Sequence, residues 1–133
     1  MLRDVELIAF VGSQDLAAAD AFYGGVLGLE LVESSSFSRA YDAAGTTLRV
    51  TLVESVTAAG YTVLGWNVPD IALSVDALAA AGVACTRYDG LDQDARGVWT
   101  APGGTRVAWF LDPDGNVLSV SQAGGGGGPS EPP

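Results

Sequence analysis

Residues 8–32 and 63–88 follow one plan twice, so the chain must build its core from two similar units. In the first copy an apolar strand from Ile8 leads into a turn at Ser13-Gln14-Asp15, a helix over 16–26, and a second strand after Gly28. In the second, a strand over 63–68 leads to Asp70, a helix over 71–81, Gly82, and strand-like sequence to Tyr88. Asp15 and Asp70 stand at matching places, where a short acceptor side chain caps the free N–H groups of a helix. Gly28 and Gly82 close the helices, where a left-handed backbone favours glycine. Leu16, Ala19, Phe22, Tyr23 and Val26 recur at three- and four-residue spacing, as do Ile71, Val75, Leu78 and Ala79, so each helix has one apolar stripe to lay on a sheet.

More strand sequence follows each helix: 37–42 and 46–53 in the first half, 98–101 and 105–121 in the second. Gly45-Thr46-Thr47-Leu48-Arg49 aligns with Gly115-Asn116-Val117-Leu118-Ser119, which makes Arg49 and Ser119 equivalent. Asp112-Pro113-Asp114-Gly115-Asn116 is a hairpin turn, with Pro suited to its first bend and Gly to positive φ. The fold class predicted is α+β, a βαβββ module over about 4–54 and another over about 61–122, together one domain over 1–122. The Gly- and Pro-rich tail over 123–133 has nothing to bury and is expected to be disordered.

Composition then removes whole classes of chemistry. Sixteen acids against six bases give a formal charge of −10, which repels phosphate backbones and anionic lipid surfaces, so neither nucleic acid nor a membrane is an expected partner. All six bases are Arg and there is no His, which excludes lysine Schiff bases and every histidine role. No apolar run approaches the ~18–20 residues that span a bilayer, and the start lacks the layout of a signal peptide; the cytoplasm is the expected location. Cys85, the only cysteine, has apolar neighbours and reads as a buried structural thiol on a strand. Residues 90–97, with Asp92 and Asp94, read as an acidic surface loop.

Two motifs set around the repeat carry a resemblance. Phe22-Tyr23-Gly24-Gly25-Val26-Leu27-Gly28-Leu29 and Phe110-Leu111-Asp112-Pro113-Asp114-Gly115-Asn116 make residues 6–122 resemble the vicinal oxygen chelate superfamily of glyoxalases, bleomycin-resistance proteins and extradiol dioxygenases. The resemblance implies that the paired modules curl into a cup-shaped mixed sheet with helices outside and the ligand or metal inside. It also implies where metal ligands would stand: seven residues before each helix-opening Asp, at Ile8 and Val63, and seven after Asp112, at Ser119, which the repeat carries to Arg49. Two aliphatics, a hydroxyl and a guanidinium supply none of the imidazole, thiolate or carboxylate donors a divalent cation needs. No metal and no cofactor is therefore expected; a carboxylate site using Glu6 or Glu54 is the alternative.

Strand parity places Glu6, Phe10, Thr47, Thr51, Tyr61, Gly65, Asn67, Val117 and Ser121 on the same faces as those four positions. From these come the candidate ligand-binding residues Glu6, Ile8, Phe10, Arg49, Tyr61, Val63, Trp99, Trp109, Ser119 and Ser121; no catalytic residue is assigned. Arg49 has two readings, an internal ion pair with Glu6 or a grip on a ligand carboxylate. Trp66 has the parity of the helix side, whereas the faces of Trp99 and Trp109 stay open. A metal-free protein that binds a small molecule, sequestering an antibiotic or metabolite as a homodimer, follows as the expected function. The alternative is an atypical lyase or isomerase, metal-independent or using a carboxylate-bound metal.

Overall fold

The computed structural model describes residues 1–124, so the tail expectation from residue 125 onward lies outside the described residues. Two compact units result: Met1–Ala58 together with Asp112–Gly115, and Ala59–Leu111 together with the residues from Asn116 on.

In unit 1 the strands β1 (Ile8–Ser13), β2 (Glu30–Ser34), β3 (Ser38–Ala43) and β4 (Thr46–Leu52) form one mixed sheet in the order β1-β4-β3-β2. β1 runs parallel to β4, and β4 antiparallel to β3. The helix α1 (Leu16–Ala19) continues directly into a π-helical segment (Asp20–Val26), so the helix expected over 16–26 is present but widens in its second half. The widening shows in the bonds from Leu27 N–H to the Phe22 carbonyl and from Leu29 N–H to the Tyr23 carbonyl, 2.9 and 3.0 Å. The adjacent residues Phe22 and Tyr23 are both buried there, their rings edge-to-face with centres 5.1 Å apart. The Tyr23 ring packs against that of Tyr41 of the sheet, centres 6.0 Å apart, and with Val11, Leu48 and Val50, also buried, these residues make up the core of the unit.

Unit 2 repeats the plan. Its strands β5 (Thr62–Asn67), β6 (Trp99–Thr100), β7 (Arg106–Leu111) and β8 (Val117–Gln122) take the order β5-β8-β7-β6, and α2 (Ile71–Ala80) buries Ile71, Val75 and Leu78. Asp15 and Asp70 cap their helices with nearly the same backbone, φ −145 and −144 with ψ 100 in both. Asp15 Oδ1 accepts from the N–H groups of Ala17 and Ala18, Asp70 Oδ1 from that of Leu73. At the far end of α2, Gly82 takes φ +88; its N–H donates to the Ala79 carbonyl and that of Val83 to the Leu78 carbonyl, the paired bonds that close a helix on glycine.

One expected strand is absent. Residues 83–88, which hold Cys85, have no ladder partner, and the strand after α2 is the two-residue β6. The Gln93 side chain satisfies this backbone instead: its amide nitrogen donates to the Thr86 and Gly97 carbonyls, both at 2.9 Å, and its oxygen accepts from Tyr88 N–H at 2.8 Å. Cys85 is half-buried, its thiol pushed up by burial, with Gly97 packed against it. The acidic loop is cross-braced: Asp94 Oδ1 accepts from Arg96 and Val98 N–H, Arg87 donates to the carbonyls of Asp94 and Ala95, and Arg96 pairs with Asp76 on α2. No helix among the described residues is long and apolar enough to cross a membrane.

Candidate functional site

Each sheet has one face against its helix and a second face, exposed at Ile8 and Phe10 in unit 1 and partly buried in unit 2, and the registers say which side chains share it. In unit 1, Phe10 pairs with Arg49 and Arg49 with Ala40, while Ile8 pairs with Thr47 and Thr47 with Asp42. Ile8, Phe10 and Arg49 therefore stand together, as parity predicts. Phe10 is 63% exposed, too much for a residue of the unit's own core.

Arg49 finds a different partner from the one expected. Its Nη1 lies 3.4 Å from Glu33 Oε1 and 3.2 Å from Ser38 Oγ, both on the neighbouring strands β2 and β3. Glu6, two residues before β1, instead accepts a hydrogen bond from Thr47 Oγ1 at 3.2 Å. A register shift between Leu31 and Glu33 explains the change, because the extra residue turns Glu33 to the face of Ala40 and Arg49 while Leu31 stays beside Tyr41. The pair is loose: Glu33 is 65% exposed, and such pairs hold a cation lightly enough for another anion to compete.

On the helix side of the same sheet two networks fix the frame. Asp20, the first residue of the π-helical segment, accepts from Tyr41 Oη and from Arg39 Nε, the latter at 2.9 Å. Desolvation would raise the Asp20 carboxyl, but those hydrogen bonds and the Arg39 charge outweigh it and hold it below the usual carboxylate range. The buried Tyr23 Oη donates to Asp112 Oδ2 at 2.6 Å, while Asp112 Oδ1 accepts from Asp114 N–H. Burial, the bond to Asp112 and its charge push the Tyr23 phenol well above its ordinary value; burial and the bond to Asp20 do the same for Tyr41. The two motifs that carry the family resemblance thus touch one another through Tyr23 and Asp112.

Unit 2 settles the two tryptophans. Trp99 pairs with Val107 and Val107 with Ser121, which pairs with Asn67; Trp109 pairs with Ser119, which pairs with Gly65. Trp99, Trp109, Ser119 and Ser121 accordingly share the face away from α2, where Ser119 is buried and the other three are half-buried. Trp66, paired with Val120, is on the other. The Trp99 and Trp109 ring centres are 6.1 Å apart with planes inclined at 33°, and Tyr88 stands perpendicular to Trp109 at 5.5 Å. Ser121 Oγ donates to Asn67 Oδ1 at 3.1 Å. A Cβ on Gly65 would lie 2.9 Å from Ser119 Oγ, so the absence of a side chain there is what accommodates the hydroxyl.

Two predicted site residues fall outside this arrangement. Tyr61 precedes β5 and is 68% exposed, and Val63 sits in a register shift of that strand, where Thr62 pairs with Val117 and Leu64 with Leu118. Sequence reasoning missed Glu33, Ser38 and Tyr88. The first two depend on the bulge and the third on the bond from Thr86 N–H to the Trp109 carbonyl, which draws an irregular segment alongside β7.

The donor set at Ile8, Arg49, Val63 and Ser119 does not fit a divalent cation: hydrocarbon at two, a guanidinium already facing Glu33, and a neutral hydroxyl. Among the described residues no three acidic or cysteine side chains gather where they could hold one, and the alternative carboxylate site finds no such group around Glu6 or Glu54.

Comparison with known proteins agrees with the fold. A fosfomycin resistance protein from Listeria monocytogenes is similar in structure, TM-score 0.72 at 17% identity, over 96% of this chain and 97% of that one. A lactoylglutathione lyase from Agrobacterium tumefaciens gives 0.67 at 18% identity over 90% and 93%. A glyoxalase-related enzyme from Fulvimarina pelagi gives 0.69 at 25% identity over 91% and 88%. No curated protein matches the chain in sequence. The family model of the Glyoxalase/Bleomycin resistance protein/Dioxygenase superfamily matches residues 7–120, across both repeats and both motifs, and the chain belongs to that superfamily.

Proposed function

We propose that the chain binds a small organic molecule bearing a flat ring and, as a sequestering protein, holds it without a metal ion. The observation that supports this is the face of unit 2 away from α2, where Trp99, Trp109 and Tyr88 form an aromatic ledge beside the Ser121 hydroxyl and the Asn67 amide, with Ser119 buried beside Trp109 on the same face. Indole faces contribute area for stacking at little conformational cost, and a few convergent polar groups orient what stacks there. On unit 1, taken by itself, Arg49 is loosely held by Glu33 and offers its guanidinium to a carboxylate. The net charge of −10 draws cationic compounds toward the surface.

The reading extends to a homodimer in the cytoplasm, since short mixed sheets leave edges that a second copy commonly covers. Sedimentation at tens of micromolar tests the dimer. Titration with flat heteroaromatic compounds, followed by tryptophan fluorescence and with aliphatic acids as controls, tests the binding. Quenching by the flat compounds alone is the expected result. No response to any compound, or turnover of one of them, overturns the sequestration reading.

A further inference from the structure

The aromatic ledge is not held by a sheet alone. Trp109 lies on β7, but Trp99 belongs to a two-residue strand and Tyr88 to a segment with no ladder partner. Two short pieces of backbone must nevertheless keep their rings within 6.1 and 5.5 Å of Trp109. Besides the Thr86 bond to Trp109, Arg87 and Asp94 tie the loop between those pieces, and the group that bonds both pieces directly is the Gln93 side chain. Its nitrogen bonds the Thr86 and Gly97 carbonyls, two residues before Tyr88 and two before Trp99, and its oxygen accepts from the N–H of Tyr88 itself. The Gln93 backbone also bridges to Trp99. A primary amide is the side chain that offers two donors and an acceptor in one plane, and here all three are used.

We propose that Gln93 is the positioning residue of the ligand ledge: its amide sets the spacing of Tyr88 and Trp99 about Trp109 and so preorganises the stacking surface. This rests on the ligand-binding reading above. Preorganisation of this kind raises affinity by removing the cost of ordering the rings when the ligand arrives. Neither glutamate nor an aliphatic side chain can replace the amide, because a carboxylate presents acceptors to two carbonyl oxygens and a hydrocarbon leaves them without a donor.

The test uses the full chain and two readouts. Indoles 6.1 Å apart couple, giving a couplet in circular dichroism, and loss of the couplet in Trp99→Phe assigns it to this pair. Gln93→Leu and Gln93→Glu are then compared with the native protein at pH 7.5, with thermal unfolding as a control for folding. Both variants are expected to unfold cooperatively, to lose most of the couplet, and to bind the flat probe 9-aminoacridine about tenfold more weakly. In Gln93→Glu the couplet is expected to return on acidification below about pH 4, where a protonated carboxyl regains one O–H donor while its other oxygen still accepts from Tyr88. A couplet unchanged in both variants overturns the assignment, as does a couplet lost only because neither variant unfolds cooperatively any longer. If the native chain fails to bind 9-aminoacridine or any flat compound, the ligand reading falls, while the couplet still decides the role of Gln93.

Discussion

Units 1 and 2 share a backbone and differ in the face they turn away from the helix. Their helices start on aspartates of nearly equal dihedral angles, and their last hairpins turn on glycines of positive φ, Gly45 at +93 and Gly115 at +86. At matching positions beyond these devices, unit 1 places Phe10 beside Arg49 and unit 2 places Gly65 beside Ser119. The charges divide unevenly too. Unit 1 carries ten carboxylates against Arg3, Arg39 and Arg49, and the described part of unit 2 five against Arg87, Arg96 and Arg106. The strands differ in the same sense: β4 alternates buried and half-buried residues, whereas β8 is buried from Val117 through Val120. Caps and turns therefore specify the shared plan, while the side chains on the face away from the helix are free to take different chemistry, ionic in one unit and aromatic with hydroxyls in the other.

The largest expected break in this comparison is at Tyr23, which has no counterpart in unit 2. Tyr23→Phe removes a buried hydrogen bond to a charged acceptor and should cost about 2–3 kcal/mol in urea unfolding. A loss below about 0.5 kcal/mol would show that the Tyr23 bond holds nothing in place. Next comes the matched pair of positions. Gly65→Ala forces Ser119 aside and should destabilise by about 1–3 kcal/mol, whereas Phe10→Ala, at an exposed site, should change stability by no more than about 0.5 kcal/mol. Equal effects at the two sites would erase the distinction between the faces. Arg49→Met is expected to cost under about 1 kcal/mol and to weaken only ligands that carry an acid, as calorimetry with acid and ester forms of one compound would show.

Smaller again is the hairpin at Ala44, a non-glycine residue at φ +51 where unit 2 has no such strain. Ala44→Gly should raise stability by about 0.5 kcal/mol, seen as a higher denaturant midpoint at unchanged slope. The faintest effect is a slope with pH. Asp20 titrates lower in the folded chain than in the unfolded one, so its contribution is complete above the unfolded carboxyl value and is lost as pH falls through the folded value. Asp20→Asn should flatten that acid decline, and stability measured between about pH 5 and 2 would reveal it.

Much of this comparison was legible in the sequence because it rests on residues that act locally. Asp15, Asp70, Gly28, Gly82 and the Asp112–Gly115 turn each declare themselves through a backbone preference that needs no neighbour. Parity placed Phe10 with Arg49, and Ser119 with Ser121 and Gly65, for the same reason. What the sequence hid depends on distant partners. A bulge before Glu33 reverses its face, so parity counted from Leu31 sends it to the helix side and leaves Glu6 as the apparent partner of Arg49. Residues 83–88 have strand composition, yet the Gln93 amide takes the bonds a ladder would have made. The faces of Trp99 and Trp109 follow only from pairing with Val107 and Ser119.

The bond between Tyr23 and Asp112 joins residues 89 positions apart and carries a consequence in time. During synthesis at about 5–20 residues per second, Asp112 leaves the ribosome on the order of 5 to 20 s after Tyr23. For that interval the first unit has its four strands and its helix but no acceptor for a phenol that its own core would enclose, a deficit of roughly 1–3 kcal/mol. Until that turn emerges, the Tyr23 hydroxyl lacks the partner it has in the finished unit, so the last bond of the early unit is conditional on the later one.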